Sequence, residues 1–395
     1  MPERSFEVGA ARRKITPSPE VGPVYRAGYK MMEAEPLTGT IDDIFLRCIT
    51  VQAEAARVVF LSLDLIGLFR DFTDALALQV TPHGIEPKHL IVATTHSHAA
   101  PDTMGPWGPS FGESGYNEKY TKFLLRTAAD AVTEALESAR PAQPYLCIEE
   151  TNLGVGNFRE PGELNLALWC LSFRGDDGVV GSLISYSAQP ELVPRDDDRI
   201  SGDYPGEACR ILDRELGGTT LFLLGACGGM EPEGCEEGYD TAHAYGRKLA
   251  GRLLGLAHTA RPVDGDTLHV TVREIELPVE NEGFQLMMEH GILETTRRPP
   301  TARTTLSRIE IGDTAIYGLP GESFPGIVAG IGPEKRALFI NQVNDSLGYF
   351  IPPEQFRSDP VAWGKGHHFT GHEIESLGRR AGGIIRRELI KLASE

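Results

Sequence analysis

Apolar residues recur along the chain in two rhythms. Residues 58–63 and 90–93 are short, largely apolar runs without alternation, which predicts strands buried on both faces. Residues 72–80 between them carry helical spacing, so the three segments read as a strand–helix–strand unit. Residues 117–140 predict the clearest helix. Asn117 stands where a cap belongs, Tyr120, Leu124, Ala128, Ala131 and Ala135 follow at helical spacing, and Pro141 supplies a stop. Strands are predicted again near 166–173, 181–186 and 221–224, a helix at 241–254, and strands at 267–275, 304–311, 315–319 and 338–341. The last segment, 373–392, reads as one helix whose Arg386, Arg387 and Lys391 suit the negative end of its dipole. No repeat or long linker interrupts this order, and the only break is RRPPTAR at 297–303. The pattern predicts one mixed α/β domain over 1–395, a single mixed sheet with flanking helices.

Composition narrows the function classes. Lys and Arg number 38 against 56 Asp and Glu, a formal charge of −18, which repels phosphate backbones and anionic lipid. Nucleic acid is therefore excluded as a partner and a small-molecule substrate is expected. The 44 glycines and 27 prolines indicate many tight turns, while 41% hydrophobic residues exclude disorder. No window reaches the ~18 apolar residues of a membrane helix, and the charged first residues read as no signal peptide. Cys48, Cys147, Cys170, Cys209, Cys227 and Cys235 form no close pair and read as free or buried thiols of a reducing compartment. A cytoplasmic protein without a membrane partner is expected.

The strongest chemical signal is Thr94-Thr95-His96-Ser97-His98, directly after the 90–93 strand. On an extended backbone an H-x-H pair points both imidazoles to one side, where both can face a metal, or one can ligate while the other moves protons. Two surface histidines on a loop are the plainer reading. Four further turns look like site loops. Residues 225–232 (GACGGMEP) follow an apolar strand, and their glycines could present N–H groups to an oxyanion. Residues 201–206 (SGDYPG) lead into a helix, 319–322 (LPGE) end a strand with an acid, and 344–349 (NDSLGY) follow another strand.

Taken in order, these motifs resemble the neutral (alkaline) ceramidase family of zinc-dependent amidases. The resemblance rests on Ser62-Leu63-Asp64-Leu65, THSHAAPD at 95–102, SGDYPGEA at 201–208, LPGE at 319–322 and the N-x4-Y that ends at Tyr349. Ile15-Thr16-Pro17 and Asn157-Phe158-Arg159 match more weakly. The immunoglobulin-like domain that follows in full ceramidases has no counterpart expected here. The resemblance implies zinc held by two histidines, a glutamate and a tyrosine, which maps ligands onto His96, Glu322 and Tyr349. At the second histidine position stands Gln189, a neutral and much poorer zinc donor. At the position of the nucleophilic serine stands Glu231.

Three functions remain open on these residues. In the first, a metal-dependent hydrolase cleaves an amide-type C–N bond in a small polar metabolite. Glu231 or Glu191 replaces the missing imidazole, or Glu231 acts as general base on a metal-bound water. His98 shuttles the proton and Arg159 holds a substrate carbonyl or carboxylate. In the second, His98, Glu231, Glu322 and Tyr349 perform metal-free acid–base chemistry: a lyase, an isomerase or a ring-opening enzyme. In the third the chain is a non-catalytic ligand-binding relative. Two features look bland beside these. The loop Arg195-Asp196-Asp197-Asp198-Arg199 reads as a solvated acidic loop. His367-His368 with His372 and Glu373 lacks H-E-x-x-H spacing and reads as helix cap and surface.

Overall fold

The computed structural model describes residues 6–53, 56–332, 337–357 and 371–395. The described strands build a large sheet in the order Thr219–Leu224, Gly178–Tyr186, Ala167–Gly175, Arg140–Glu150, Phe6–Lys14, Phe45–Ala53, Ala56–Leu63 and Leu90–Thr94, with Arg261–Pro262 added beside Arg140–Glu150. The pairs are antiparallel except at the two ends, where Thr219–Leu224 joins Gly178–Tyr186 and Leu90–Thr94 joins Ala56–Leu63 in parallel. Each parallel pair needs a crossover, and helices supply it: Arg70–Val80 at one end and Asp203–Leu216 at the other. A second, four-stranded sheet runs Leu268–Pro278, Thr301–Ile311, Thr314–Gly318 and Ala337–Ile340, its last pair again parallel. The mixed sheet with flanking helices expected from the apolar rhythm is what forms, with a second sheet beside it.

The two sheets share a core. Phe6, Ile49, Phe60 and Ile91 of the first pack with Val270, Ile309, Ile316 and Leu338 of the second, all buried. Two backbone bonds stitch the sheets at the ends of their parallel strands: Asn341 N–H to Leu224 C=O at 2.7 Å and Asn344 N–H to Val92 C=O at 2.7 Å. The carboxyl ends of three parallel pairs therefore open onto one place. In α/β sheets that is where ligands bind, because the chain leaves the sheet there and its loops are free to carry side chains.

Several expectations change in detail. The strands Phe6–Lys14, Phe45–Ala53 and Arg140–Glu150 carry no plain apolar run, and Pro141, expected as a helix stop, lies inside a strand that pairs with Phe6–Lys14. The helix capped by Asn117 spans Glu118–Glu137, with the Asn117 side chain accepting from the Tyr120 N–H. The break foreseen at 297–303 runs straight into the strand Thr301–Ile311. The carboxy-terminal helix is two pieces, Gly371–Ile374 and Arg379–Ser394, parted before Gly378 at φ 132°. Five cysteines are buried, Cys235 is partly so, and all six are free thiols. No helix among the described residues is long and apolar enough to cross a membrane.

Candidate functional site

His96 follows the strand Leu90–Thr94 in a tight turn, with its N–H on the Leu65 carbonyl at 2.9 Å and its backbone at φ 67°. A non-glycine residue there is strained, and such strain gathers at functional sites. The turn, not the extended backbone assumed from the H-x-H spacing, brings the imidazoles together: the two Nε2 atoms lie 3.3 Å apart with the rings edge to face. Gly28, at φ 98°, lies so close to His98 that a Cβ there would fall 2.5 Å from its Nδ1. Arg26 holds the His98 carbonyl at 2.7 Å and also bonds the Val193 and Pro194 carbonyls, so it fixes His98 and the Glu191 loop together.

The other polar groups arrive on the remaining strand ends. Glu322 and Tyr349 stand opposite each other in a short parallel ladder, Glu322–Ser323 with Tyr349–Phe350. Gln189 follows Gly178–Tyr186, and Gln342 follows Ala337–Ile340, also left-handed at φ 56°. His96 Nδ1 lies 2.6 Å from the Ile66 carbonyl and 3.2 Å from the Gln342 amide, and Nε2 is 3.1 Å from Glu322 Oε1. Gln189 donates to Glu322 Oε2 at 2.5 Å, and the same nitrogen lies 3.3 Å from Tyr349 Oη. Reversing that amide would set its oxygen against a carboxylate, so the nitrogen faces Glu322. The orientation leaves Gln189 Oε1 buried without a partner, which costs about 1–3 kcal/mol and is offset by the charge-assisted bond to Glu322.

Burial and neighbours drive the titrating groups apart. For His96, burial alone would lower the pKa, but the charge and hydrogen bond of Glu322 outweigh it and hold the imidazole above its usual value. Burial would raise Glu322, yet His96 and the Gln189 bond keep its carboxyl below the usual range. His98 is held well below the ordinary imidazole value by burial and by the charges of His96 and Arg26, so it is neutral at pH 7. Its Nε2 is 3.3 Å from Glu191 Oε1. Burial and the neighbouring Glu231 push Glu191 up to about 8. Burial and Glu322 push Glu375 up to about 7.

Several of these groups line one cleft. Its walls are apolar: Met31, Phe69, Met104, Trp107, Phe284, Met288, Leu293 and Leu377, with His96, His98, Glu322, Gln342, Tyr349 and Glu375 the polar lining. Asp102 of the THSHAAPD motif builds one wall by accepting the N–H groups of Met104, Gly105 and Trp107 at 2.7–3.0 Å. Asp203 of SGDYPGEA accepts those of Leu192 and Val193, holding the loop that carries Glu191. Such walls do not suit the small polar metabolite expected from composition. They would desolvate its polar groups without replacing their hydrogen bonds.

The architecture has known counterparts. A crystal structure of neutral ceramidase from Pseudomonas aeruginosa superposes with a TM-score of 0.77, covering 99% of this chain and 74% of that one at 16% identity. A structure of ceramidase complexed with C2 superposes at 0.79, covering 99% and 75% at 14% identity. The fold is the ceramidase fold. No protein-family profile and no curated protein sequence matches the chain.

The ceramidase-like positions can be tested against the zinc that the sequence resemblance implies. His96, Glu322 and Tyr349 do meet at one point. The fourth member turns an amide N–H toward that point, and among the described residues no three His, Cys, Asp or Glu side chains are gathered to hold one ion. A zinc ion needs lone pairs from about four ligands, most often imidazole, thiolate or carboxylate. The donor set does not fit it.

Two expected residues stand off the cleft. Glu231 lies half-buried on the short strand Met230–Pro232 and bears on the site through its charge beside Glu191. Arg159 is buried and paired with Glu373, Nη1 to Oε2 at 2.9 Å, with its guanidinium over the Phe324 ring. It anchors the segment Gly371–Ile374. That segment turns His372 inward, 4.6 Å from the Tyr349 ring, where a surface role was expected. His367 and His368 lie outside the described residues. Of the glycine N–H groups expected to cradle an oxyanion, those of Gly225 and Gly228 are bonded to backbone carbonyls. The acidic loop is tied in ion pairs, Arg199 to Asp197 and Arg195 to Glu236. Glu375, Gln342, the wall helix Glu282–Glu289 and Tyr29, whose ring stands edge-on to His98 at 5.1 Å, are not among the residues expected from the sequence. Only the paired methionines of that helix, Met287-Met288, hinted at an apolar surface.

Proposed function

We propose that the cleft hydrolyses an amide-type C–N bond in a small molecule whose body is apolar. The observation that carries this reading is the floor of the cleft, where a neutral imidazole and a carboxyl titrating near neutrality face the same apolar space. The likeness to ceramidases, amide-cleaving enzymes, supplies the bond.

The chemistry follows from the protonation states. His98, neutral because burial and positive neighbours disfavour its charge, takes a proton from water as that water attacks the amide carbon. Glu191, protonated up to about pH 8 and with its Oε1 3.3 Å from His98 Nε2, orients the imidazole. The oxygen of the carbonyl gains negative charge beside the His96 ring, whose pKa Glu322 raises, and the Tyr349 hydroxyl, which burial and Glu322 keep protonated. Glu375, protonated up to about pH 7, gives its proton to the departing nitrogen. The C–N bond breaks, leaving an acid and an amine, and the proton on His98 returns to Glu375 through water. In this scheme Glu375 takes the acid–base part first expected of Glu231, and Glu231 sets the charge on Glu191. Arg159 is a positioning residue.

The test is amine release from a panel of N-acyl amides of increasing alkyl length, followed by mass spectrometry for wild type and His98→Gln. Turnover that rises with apolar length and is lost in the variant is expected. No release from any member, or equal release by the variant, overturns the reading.

A further inference from the structure

Glu322 is the centre of side chains that would surround a cation in a metalloenzyme, yet here protons already fill the space between them. Its Oε1 faces His96 Nε2 at 3.1 Å, and its Oε2 takes the Gln189 N–H at 2.5 Å. The same amide nitrogen lies 3.3 Å from Tyr349 Oη. One –NH2 group thus bridges a carboxylate and a phenol, placing two positively polarised hydrogens between two oxygens. On its far side His96 is anchored by Nδ1 to the Ile66 carbonyl at 2.6 Å.

We infer that the Gln189 carboxamide stands in for a divalent cation, that the chain takes no zinc at this point, and that Gln189→His alone installs a zinc site. The inference rests on the placement of the site described above and not on the reaction assigned to it. A zinc ion entering the wild-type site must turn the Gln189 oxygen inward and break the Gln189 bond to Glu322, and the loss of that charge-assisted bond opposes binding. What zinc would gain is a neutral carboxamide oxygen, a poor donor. A histidine at position 189 offers a lone pair in place of an N–H. The point between Glu322 and Tyr349 then has two imidazoles, a carboxylate and a phenol, four donors of the kind zinc accepts. The amide bridge also explains why Glu322 and Tyr349 stay together without a metal: Gln189 bonds to both.

The experiment is zinc uptake by the full chain. Tag-free protein is stripped with chelator, incubated with micromolar zinc and desalted. Elemental analysis then gives the metal per chain, and competition with a chromogenic chelator at neutral pH gives the affinity. Wild type is expected to retain almost none. Gln189→His is expected to retain about one zinc per chain, bound at least ~100-fold more tightly than by wild type. Gln189→Glu serves as a second variant, because it sets a carboxylate against Glu322. Its melting temperature should rise on adding zinc, while that of wild type does not move. One zinc per chain in wild type overturns the inference whatever the variants do. So does a failure of both variants, folded by circular dichroism, to bind more zinc than wild type. None of these readouts needs turnover. A metal-free protein without amidase activity sinks the proposed reaction and leaves this inference standing; a zinc-loaded wild type that releases amine overturns this inference and leaves amide hydrolysis standing.

Discussion

One set of groups at the cleft is fixed: Glu322 receives hydrogen bonds from His96 and Gln189, and His96 is tied at both ring nitrogens. Against it stand His98, with Nδ1 buried without a partner, Glu191, raised to about 8, and Glu375, which neighbours Glu322 and is raised to about 7. The first set holds its charges in a fixed pattern. The second holds groups whose protons can leave or arrive near neutral pH. Pushing neighbouring titratable groups apart in this way is how one pocket supplies an acid and a base at the same pH. The two sets are thus not duplicates: one positions and polarises, the other moves protons.

The contrast can be broken most sharply at His98. His98→Gln keeps the shape of the floor and removes the base, so kcat/KM should fall by about 10²–10⁴-fold with the melting temperature little changed. An unchanged rate would move the chemistry elsewhere. The fixed set should respond in stability. Glu322→Gln leaves the buried His96 without its counter-charge, and breaking one partner of a buried pair costs about 3–5 kcal/mol, read as a lower urea midpoint. A midpoint equal to wild type would show that the pairing holds nothing together.

Glu375→Gln should lower kcat/KM by about 10²-fold at pH 7 and also change the pH profile. In wild type the acid form is the active one, so the rate falls as pH rises through about 7, and the variant should lose that limb. Retention of the limb would assign it to another group. The smallest effect is expected from the wall. Trp107→Ala should raise KM for the longest apolar amide by about tenfold and leave kcat nearly intact, since it removes contact made equally before and during reaction. A fall in kcat alone would mean that the wall orients the reacting bond.

Much of this arrangement was legible beforehand, for local reasons. The buried runs at 58–63 and 90–93 are apolar throughout because both faces of their sheet are covered, and His96 follows directly from one of them. Glu322 and Tyr349 could be picked out because each closes a strand-end motif. What stayed hidden depends on contacts far apart in sequence. Arg140–Glu150 reads as irregular because its two prolines sit where no ladder N–H is required, and only its pairing with Phe6–Lys14 and Ala167–Gly175 makes it a strand. Gln342 reaches His96 through a left-handed backbone that nothing in its neighbours announces. Glu375 and His372 look like residues of one helix near 373–392. They enter the site because that helix is broken before Gly378, where the Glu375 carbonyl takes the Tyr349 N–H at 2.9 Å instead. The role of Gln189 was visible as a departure, but its direction, donor toward Glu322, needed the geometry.

The most direct measurement is a ¹³C NMR titration of the glutamate side-chain carboxyls, with Glu191, Glu322 and Glu375 assigned by substitution to Gln. Glu322 is expected to stay ionised below the usual carboxylate range, while Glu375 titrates near 7 and Glu191 near 8. If all three instead titrate together at ordinary carboxylate values, the division between a fixed and a proton-moving set is wrong.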